Sequence, residues 1–330
     1  MKAKTLIYLI LILCSSCDDQ RQNLDKAIIP LSPVNFTEVN SAYDDYNSDL
    51  SRSWSWESFS LIFSTNRNTG ENFNFIFYDC DVEASLVTGA FTITANQRSN
   101  SLIDAINSPD NELGPYFTFD FPSDFYKNSG GDTKRFFYTT DVNGNNDIYY
   151  SYYTTQNEDF LPVGSIAGLT GINTNYDEGY LTIHLDETAG RETVYFISDR
   201  DNTFDIYRAV SDENKLIDQS PGLTVSKVEQ LSSDADDKCP YISGNLMVFT
   251  SDKAGGSGGF DLWYSIYDGQ GWSEPVNFGE KINTEFDEYR PIIIATDQDE
   301  FFNDMMIFSS DRPGGKGLFD LYYVGLSKRN

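Results

Sequence analysis

The chain is 330 residues long, with 51 acidic against 23 basic side chains, a formal net charge of −28 and a single histidine. The acid excess repels phosphate backbones and no basic patch offsets it, which excludes nucleic acid as a partner; one histidine excludes a His-rich metal site. Aromatic residues at 15% and only four methionines favour strands over helices, at a length that fits one large domain or two ordinary ones.

Lys2 and Lys4 precede an apolar run from Leu6 to Leu13, and Ser15 and Ser16 then lead to Cys17. A basic start, a short apolar stretch and small residues read as a signal peptide over residues 1–16. Eight apolar residues span about 12 Å as a helix, short of the ~30 Å hydrocarbon core, so the run is no anchor by itself. The cysteine after the small residues resembles a lipobox, although Cys14 stands where the lipobox usually has Leu. That resemblance implies a lipoprotein with a fatty acid such as palmitate on Cys17. It also implies attachment to the outer membrane, facing the periplasm or the exterior. Residues 17–27 are polar and read as a flexible tether. Their opening pair, Asp18 and Asp19, is similar to the acidic tag that sends some Gram-negative lipoproteins to the cell surface. An exported chain permits a disulfide, but Cys80 and Cys239 fall in non-adjacent repeats and are expected as buried free thiols.

Over residues 28–330 one phrase recurs five times. It reads VNSAYDD (Val39 to Asp45), INSPDNE (Ile106 to Glu112), INTNYDE (Ile172 to Glu178), LSSDADD (Leu231 to Asp237) and INTEFDE (Ile282 to Glu288). A second phrase follows each copy, an apolar strand ending in a small-polar turn: IFSTN, FYTTD, YFISD, VFTSD and IFSSD, with turn anchors at 66, 141, 199, 252 and 311. A third phrase then opens a new strand: FNFIFY, NDIYYS, FDIYRA, FDLWYS and FDLYYV, from positions 73, 146, 204, 260 and 319. Anchors 53 to 75 residues apart, each unit built of short strands and Gly/Asn/Asp turns, predict the blades of a β-propeller. Gly-rich stretches at Ala254–Gly259 and Pro313–Gly317 predict hairpin loops.

The phrases resemble the TolB-type, WD-like propeller repeat, with its aromatic-Ser-Asp turn, Gly-rich loop and Asp-Ile/Leu-Tyr strand. What the resemblance implies is a module that binds an envelope protein partner or a glycan at one mouth of the ring.

WSEPVNFGE, from Trp272 to Glu280, reads as the outer strand of the fourth unit, and the fifth unit has none. Its likeness, SPVNFTE, stands at Ser32 to Glu38. An unpaired sheet edge is a liability, so residues 28–37 are expected to pair with Asp320–Leu326 and close a five-bladed ring. Six blades, with one hidden between Ala84 and Lys134, is the alternative.

The acidic doublets Asp44–Asp45, Asp177–Glu178, Asp236–Asp237 and Asp287–Glu288, with Asp110 and Glu112 in the second unit, are expected to ring one channel mouth. Repetition in every unit points to a structural task, accepting backbone N–H groups in the turn between blades. Inward carboxylates on different blades are also what a propeller glycosidase uses. Asp141, Asn143, Asn145 and Asp147 carry oxygens at positions 1, 3, 5 and 7, as do Asp199, Asp201, Thr203 and Asp205, the spacing that opens a calcium loop. Both lie in hairpins without the glutamate at position 12.

Departures from the repeat mark the binding candidates. Arg290 follows Tyr289 where other units place Asn47, Gly179 and Lys238, with Tyr46, Tyr180 and Tyr241 near equivalent positions. Arginine among tyrosines suits a carboxylate, a peptide C-terminus or a sugar face; otherwise Arg290 neutralises the neighbouring acids. Trp54 and Trp56 offer a stacking platform or core aromatics. His184 reads as packing. No nucleophile elbow, phosphate loop or thiol–His pair is present. The primary expectation is therefore a non-enzymatic outer-membrane or surface lipoprotein whose propeller binds or scaffolds. The alternative is a glycan-cleaving hydrolase that uses Asp177, Asp287 or their neighbours.

Overall fold

Strands of two to eleven residues, broken by turns rich in Gly, Asn and Asp, fold into five four-stranded antiparallel sheets. The computed structural model describes residues 26–50, 58–118, 134–157, 159–186, 191–211, 217–219, 222–297 and 299–328. Strand β1 (Val34–Asn35) precedes the first blade, which comprises β2 (Asp45–Leu50), β3 (Ser58–Thr65), β4 (Asn74–Ala84) and β5 (Phe91–Arg98). The second comprises β6 (Glu112–Phe117), β7 (Lys134–Thr140), β8 (Asp147–Gln156) and β9 (Asp159–Gly168). The third comprises β10 (Glu178–Asp186), β11 (Arg191–Ser198), β12 (Asp205–Ser211) and β13 (Leu223–Lys227). The fourth comprises β14 (Asp237–Ser243), β15 (Leu246–Ser251), β16 (Asp261–Ile266) and β17 (Val276–Asn277). The fifth comprises β18 (Glu288–Ile294), β19 (Asn303–Ser310), β20 (Asp320–Ser327) and, from the other terminus, β1. The innermost strands β2, β6, β10, β14 and β18 touch in succession and β18 closes on β2, so the five sheets form a ring.

The expected seam is present. Val34 pairs with Tyr323 and Asn35 with Tyr322, as Val276 pairs with Tyr264 and Asn277 with Trp263 in the fourth blade. The shared VNF letters do the same work in both places. Asn35 donates to Asp320 at 2.9 Å and Asn277 to Asp261 at 2.8 Å. The Phe36 and Phe278 amides donate to the Leu321 and Leu262 carbonyls at 2.8 and 3.1 Å. Phe36, Ile29 and Ala27 are buried in one cluster with Phe301, Ile307 and Tyr323, so the N-terminal segment completes the hydrophobic core as well as the sheet edge.

Five blades, not six, are formed by the described residues. The long interval before the second blade is occupied by β5 and by a single short helix, α1 (Ser101–Ile106). Asn100 caps the helix by accepting the Leu102 and Ile103 amides, and Leu102, Ile103 and Ile106 pack between the first two blades. Residues 119–133, between β6 and β7 of the second blade, lie outside the described residues, as do residues 1–25, which hold the expected signal peptide, Cys17 and most of the expected tether, and Trp54 and Trp56. Cys80 and Cys239 are buried and not joined to one another, as expected.

Candidate active site at the channel mouth

Each recurring phrase is a latch between consecutive blades. Its asparagine lies flat against the third strand of the preceding blade and pairs both polar groups of one residue, as a neighbouring strand would. Asn40 does this to Leu321, Asn107 to Phe75, Asn173 to Ile148 and Asn283 to Leu262, all at 2.8–3.0 Å. The first acid accepts the amide that opens that same strand. Asp44 takes Phe319, Asp177 takes Asn146, Asp236 takes Phe204 and Asp287 takes Phe260, at 2.6–3.0 Å. In the second blade this part is played by Asn111, bonded to the Phe73 amide at 3.0 Å, rather than by Asp110.

The second acid heads the inner strand and is buried in every blade: Asp45, Glu112, Glu178, Asp237 and Glu288. It accepts from its own turn, as Glu288 does from the Thr284 amide and hydroxyl at 2.8 and 2.6 Å. A basic residue after the second phrase neutralises it in most blades: Arg67 on Asp45 at 2.6 Å, Arg200 on Glu178 at 3.0 Å and Arg312 on Glu288 at 2.8 Å. Burial still pushes the carboxyls of Glu112, Asp237 and Glu288 above their ordinary range. These second acids are therefore structural.

The Gly-rich loops owe their composition chiefly to close approach. Gly255 and Gly314 are the left-handed positions, each at φ +98°. A Cβ on Gly258 or Gly317 would strike the Glu285 or Tyr43 backbone of the next blade's turn.

Two residues beyond each buried acid the inner strand bulges, and the pairing register slips there in all five blades. The bulged residues are Asn47, Gly114, Tyr180, Cys239 and Arg290, all left-handed with φ between 48° and 58°. Non-glycine residues resist that conformation, and neighbouring blades hold it. Ser309, Thr139 and Thr250 accept the Asn47, Tyr180 and Arg290 amides at 3.3, 3.0 and 3.2 Å. The true equivalents of Arg290 are thus Tyr180 and Cys239, one residue beyond the expected Gly179 and Lys238. Tyr46 and Tyr289 share the preceding position, whereas Tyr241 lies two beyond the bulge.

Four of the six expected binding residues meet in the channel. The Tyr180 and Tyr289 rings stand 6.3 Å apart, and the Arg290 guanidinium lies 5.6 Å from the Tyr180 ring. Tyr46 adjoins Cys239 and the amide of Asn47. Burial raises all three tyrosine hydroxyls and pushes the Cys239 thiol up to about 12. Arg290 does not neutralise the acids: its Nη1 and Nη2 donate to the Pro240 and Pro115 carbonyls at 3.4 and 2.9 Å. Asn47 is the counterpart of Arg290 that the sequence named correctly; Cys239 was missed because Lys238, one residue earlier, was aligned in its place.

The other two, Asp177 and Asp287, sit on the rim rather than in the channel. Each commits Oδ1 to the latch, as Asp44 does, and Oδ2 has no hydrogen-bond partner among the described residues. Half-buried rings stand at several of the latches, Phe260 beside Asp287 among them. Tyr46 packs on Phe73 at 4.7 Å, Phe260 on Tyr289 at 5.6 Å, and the Lys238 ammonium lies 4.4 and 5.0 Å from the Phe204 and Phe260 rings. The rim thus offers flat apolar faces alternating with half-used carboxylates. No carboxylate occupies the bulged positions. A second carboxylate pair, Glu192 and Asp218, is fully buried and locked onto Arg135.

Asp141 accepts the Asn111 amide and side chain at 2.8 and 2.6 Å, while Asn143 and Asn145 donate to Tyr149 and to the Tyr176 carbonyl. Among the described residues no cluster of three His, Cys, Asp or Glu could hold a metal. His184 packs on Tyr267 and Trp272 with ring centroids 5.1 and 6.3 Å away.

No protein-family profile matches the chain, and no curated protein is similar to it in sequence. Solved structures are similar in fold. An endo-arabinase from Bacteroides thetaiotaomicron shares 12% identity, covering 92% of this chain and 98% of its own, with a TM-score of 0.55. An α-L-arabinofuranosidase from Podospora anserina, solved with cellotriose, shares 13% identity over 91% and 95%, with a TM-score of 0.53. A GH62 hydrolase, solved with xylotriose, shares 12% identity over 91% and 96%, also at 0.53. Likeness at this identity is one of fold. It nevertheless overturns the TolB-type resemblance and, with it, the reading of a non-enzymatic binding or scaffolding lipoprotein. The structures this ring matches are five-bladed glycoside hydrolases.

Proposed function

We propose that the chain is a glycoside hydrolase that cleaves neutral glycans at the channel mouth. The observation that carries the reading is the rim itself, where Asp177 and Asp287 keep one oxygen each and Asp287 bonds the amide of Phe260, whose half-buried ring packs on Tyr289. Sugar rings stack their C–H faces on aromatic faces, and carboxylates bond their hydroxyls. Hydrolysis adds water across the glycosidic bond. One carboxyl gives its proton to the departing oxygen, and the other, as carboxylate, takes a proton from the attacking water or itself attacks the anomeric carbon. A net charge of −28 repels polyanions and favours uncharged arabinan, xylan or galactan chains.

The test is reducing-sugar release from those three polysaccharides. Asp177→Asn and Asp287→Asn each keep an amide oxygen for the latch, so both variants should fold while losing roughly 10³-fold in rate. Wild type that cleaves none of the three, or variants that cleave undiminished, would overturn the reading.

A further inference from the structure

The middle of the channel has a chemistry of its own. Arg290 is fully buried and makes no ion pair among the described residues; its guanidinium donates to two proline carbonyls and lies over the Tyr180 and Tyr241 rings at 5.6 and 5.9 Å, and Nε has no hydrogen-bond partner among those residues. Every other arginine named on the latches faces a carboxylate at 3.0 Å or less. A buried cation without a counter-charge is strongly disfavoured. Here it persists in a chain whose acids outnumber its bases by more than two to one.

Asn47 on the adjoining blade is equally buried. Among the described residues neither atom of its amide has a partner in hydrogen-bonding geometry, although the Tyr46 and Tyr180 hydroxyls stand beside it, and the Ser48 hydroxyl has none there either. Unmet polar groups of this kind are rare in protein interiors. Arg290 and Asn47 occupy the same bulged position on neighbouring inner strands, at φ 48° and 58°, so both are delivered to the channel by the backbone. The tyrosines that surround them hold their protons well above neutral pH. The group is rich in donors; the buried carboxylate of Asp49, two residues beyond Asn47, accepts the Phe117 amide at 2.8 Å and makes no ion pair with Arg290 among the described residues.

We propose that the channel centre binds one small monovalent anion, a halide or a carboxylate, between the Arg290 guanidinium and the Asn47 amide, beneath Tyr180 and Tyr289. The anion supplies the counter-charge that Arg290 lacks and takes the donors that Asn47 leaves open. This site does not depend on glycan cleavage, and its failure would leave the proposed hydrolase activity untouched.

The experiment is thermal unfolding of the full chain at fixed ionic strength, titrating chloride, formate or galacturonate. The first two probe a free ion, and the third an anion carried on a sugar. Binding predicts a saturable rise in Tm of roughly 5 °C at a hundredfold excess over Kd. Glycine is free to adopt the left-handed conformation of both positions, so Arg290→Gly and Asn47→Gly are the test variants. Arg290→Gly should abolish the rise, and Asn47→Gly should weaken binding about tenfold. If Arg290→Gly fails to fold, Asn47→Gly alone decides the question. Crystals soaked in bromide should show an anomalous peak beside the guanidinium. No Tm rise with any of the three anions, or a rise unchanged by the variant, would overturn the site.

Discussion

Replacing Asn283 with alanine tests whether the latches hold the ring together. Asn283 is 1% exposed and meets Leu262, itself fully buried, through both the amide and the carbonyl, at 2.9 and 3.0 Å. Alanine leaves the buried Leu262 amide unmet, at about 1–3 kcal/mol, and takes one of two donors from its carbonyl, which keeps the Phe278 amide at 3.1 Å, so a loss of about 2–3 kcal/mol is expected. The structure provides its own control. At the junction of the third and fourth blades the equivalent residue is Ser232, whose one bond, to the Ile206 carbonyl, is 3.5 Å long. A bond that long contributes little, and Ser232→Ala should cost under about 1 kcal/mol. Asn283→Asp should be no better than alanine, since it keeps the acceptor but sets oxygen against the Leu262 carbonyl. Urea unfolding of the three variants measures the difference, which at an m-value of about 3 kcal/mol/M is a midpoint shift near 1 M for Asn283→Ala. Equal costs for Asn283→Ala and Ser232→Ala would refute the latch account.

The buried acids make stability depend on pH with a definite sign. Burial raises the Glu112 carboxyl above its ordinary 4.5, offset in part by bonds from Ser108 and Asn74. The native state therefore binds that proton more tightly than the unfolded chain, and stability falls as pH rises from 4.5 through the native value. Measured from pH 4 to 8, wild type should lose stability relative to Glu112→Gln across that window; a relative gain would contradict the assignment. At the seam, Phe36 is fully buried with its ring 5.5 Å from that of Tyr323. Phe36→Ala should cost about 3–5 kcal/mol, and a loss below 1 kcal/mol in denaturant unfolding would mean that the ring closes by other means.

The repeated phrases were legible because each letter meets the same partner in every blade. The VNF pair at 34–36 and 276–278 predicted the seam correctly, since a shared outer-strand role demands shared donors. The latch asparagines stood in plain view as the second letter of four phrases, but their reach to a third strand depends on how blades stack, which spacing alone does not reveal. The channel was harder to read. Counted from the buried acids, Tyr180 and Cys239 stand at the Arg290 position, two residues on, so aligning Arg290 with Gly179 and Lys238 missed both by one; that this position is the one a bulge turns into the channel is a property of the backbone and not of the letters. The resemblance to TolB-type repeats misled for a physical reason. Its Ser-Asp turn in this chain pins the next blade's bulge through Ser309, holds the buried acid through Ser310 and accepts the Asp287 amide through Asp311. Those letters answer to blade stacking and carry no information about ligands.

That division explains where function can reside. Positions bound by the latch repeat because each must satisfy the same buried groups, and a substitution there is felt in stability. The bulged positions carry no such obligation beyond their amide, and they differ in every blade: Asn, Gly, Tyr, Cys and Arg. Gly114 shows the freedom being used, for a Cβ there would fall 2.7 Å from the Tyr180 ring, so the empty corner on the second blade makes room for the aromatic of the third. A ring of five equal sheets thus obtains an asymmetric centre from five residues that are structurally equivalent and chemically unlike. Changes at Asn47, Tyr180 or Arg290 should consequently alter binding more than they alter the melting of the blades.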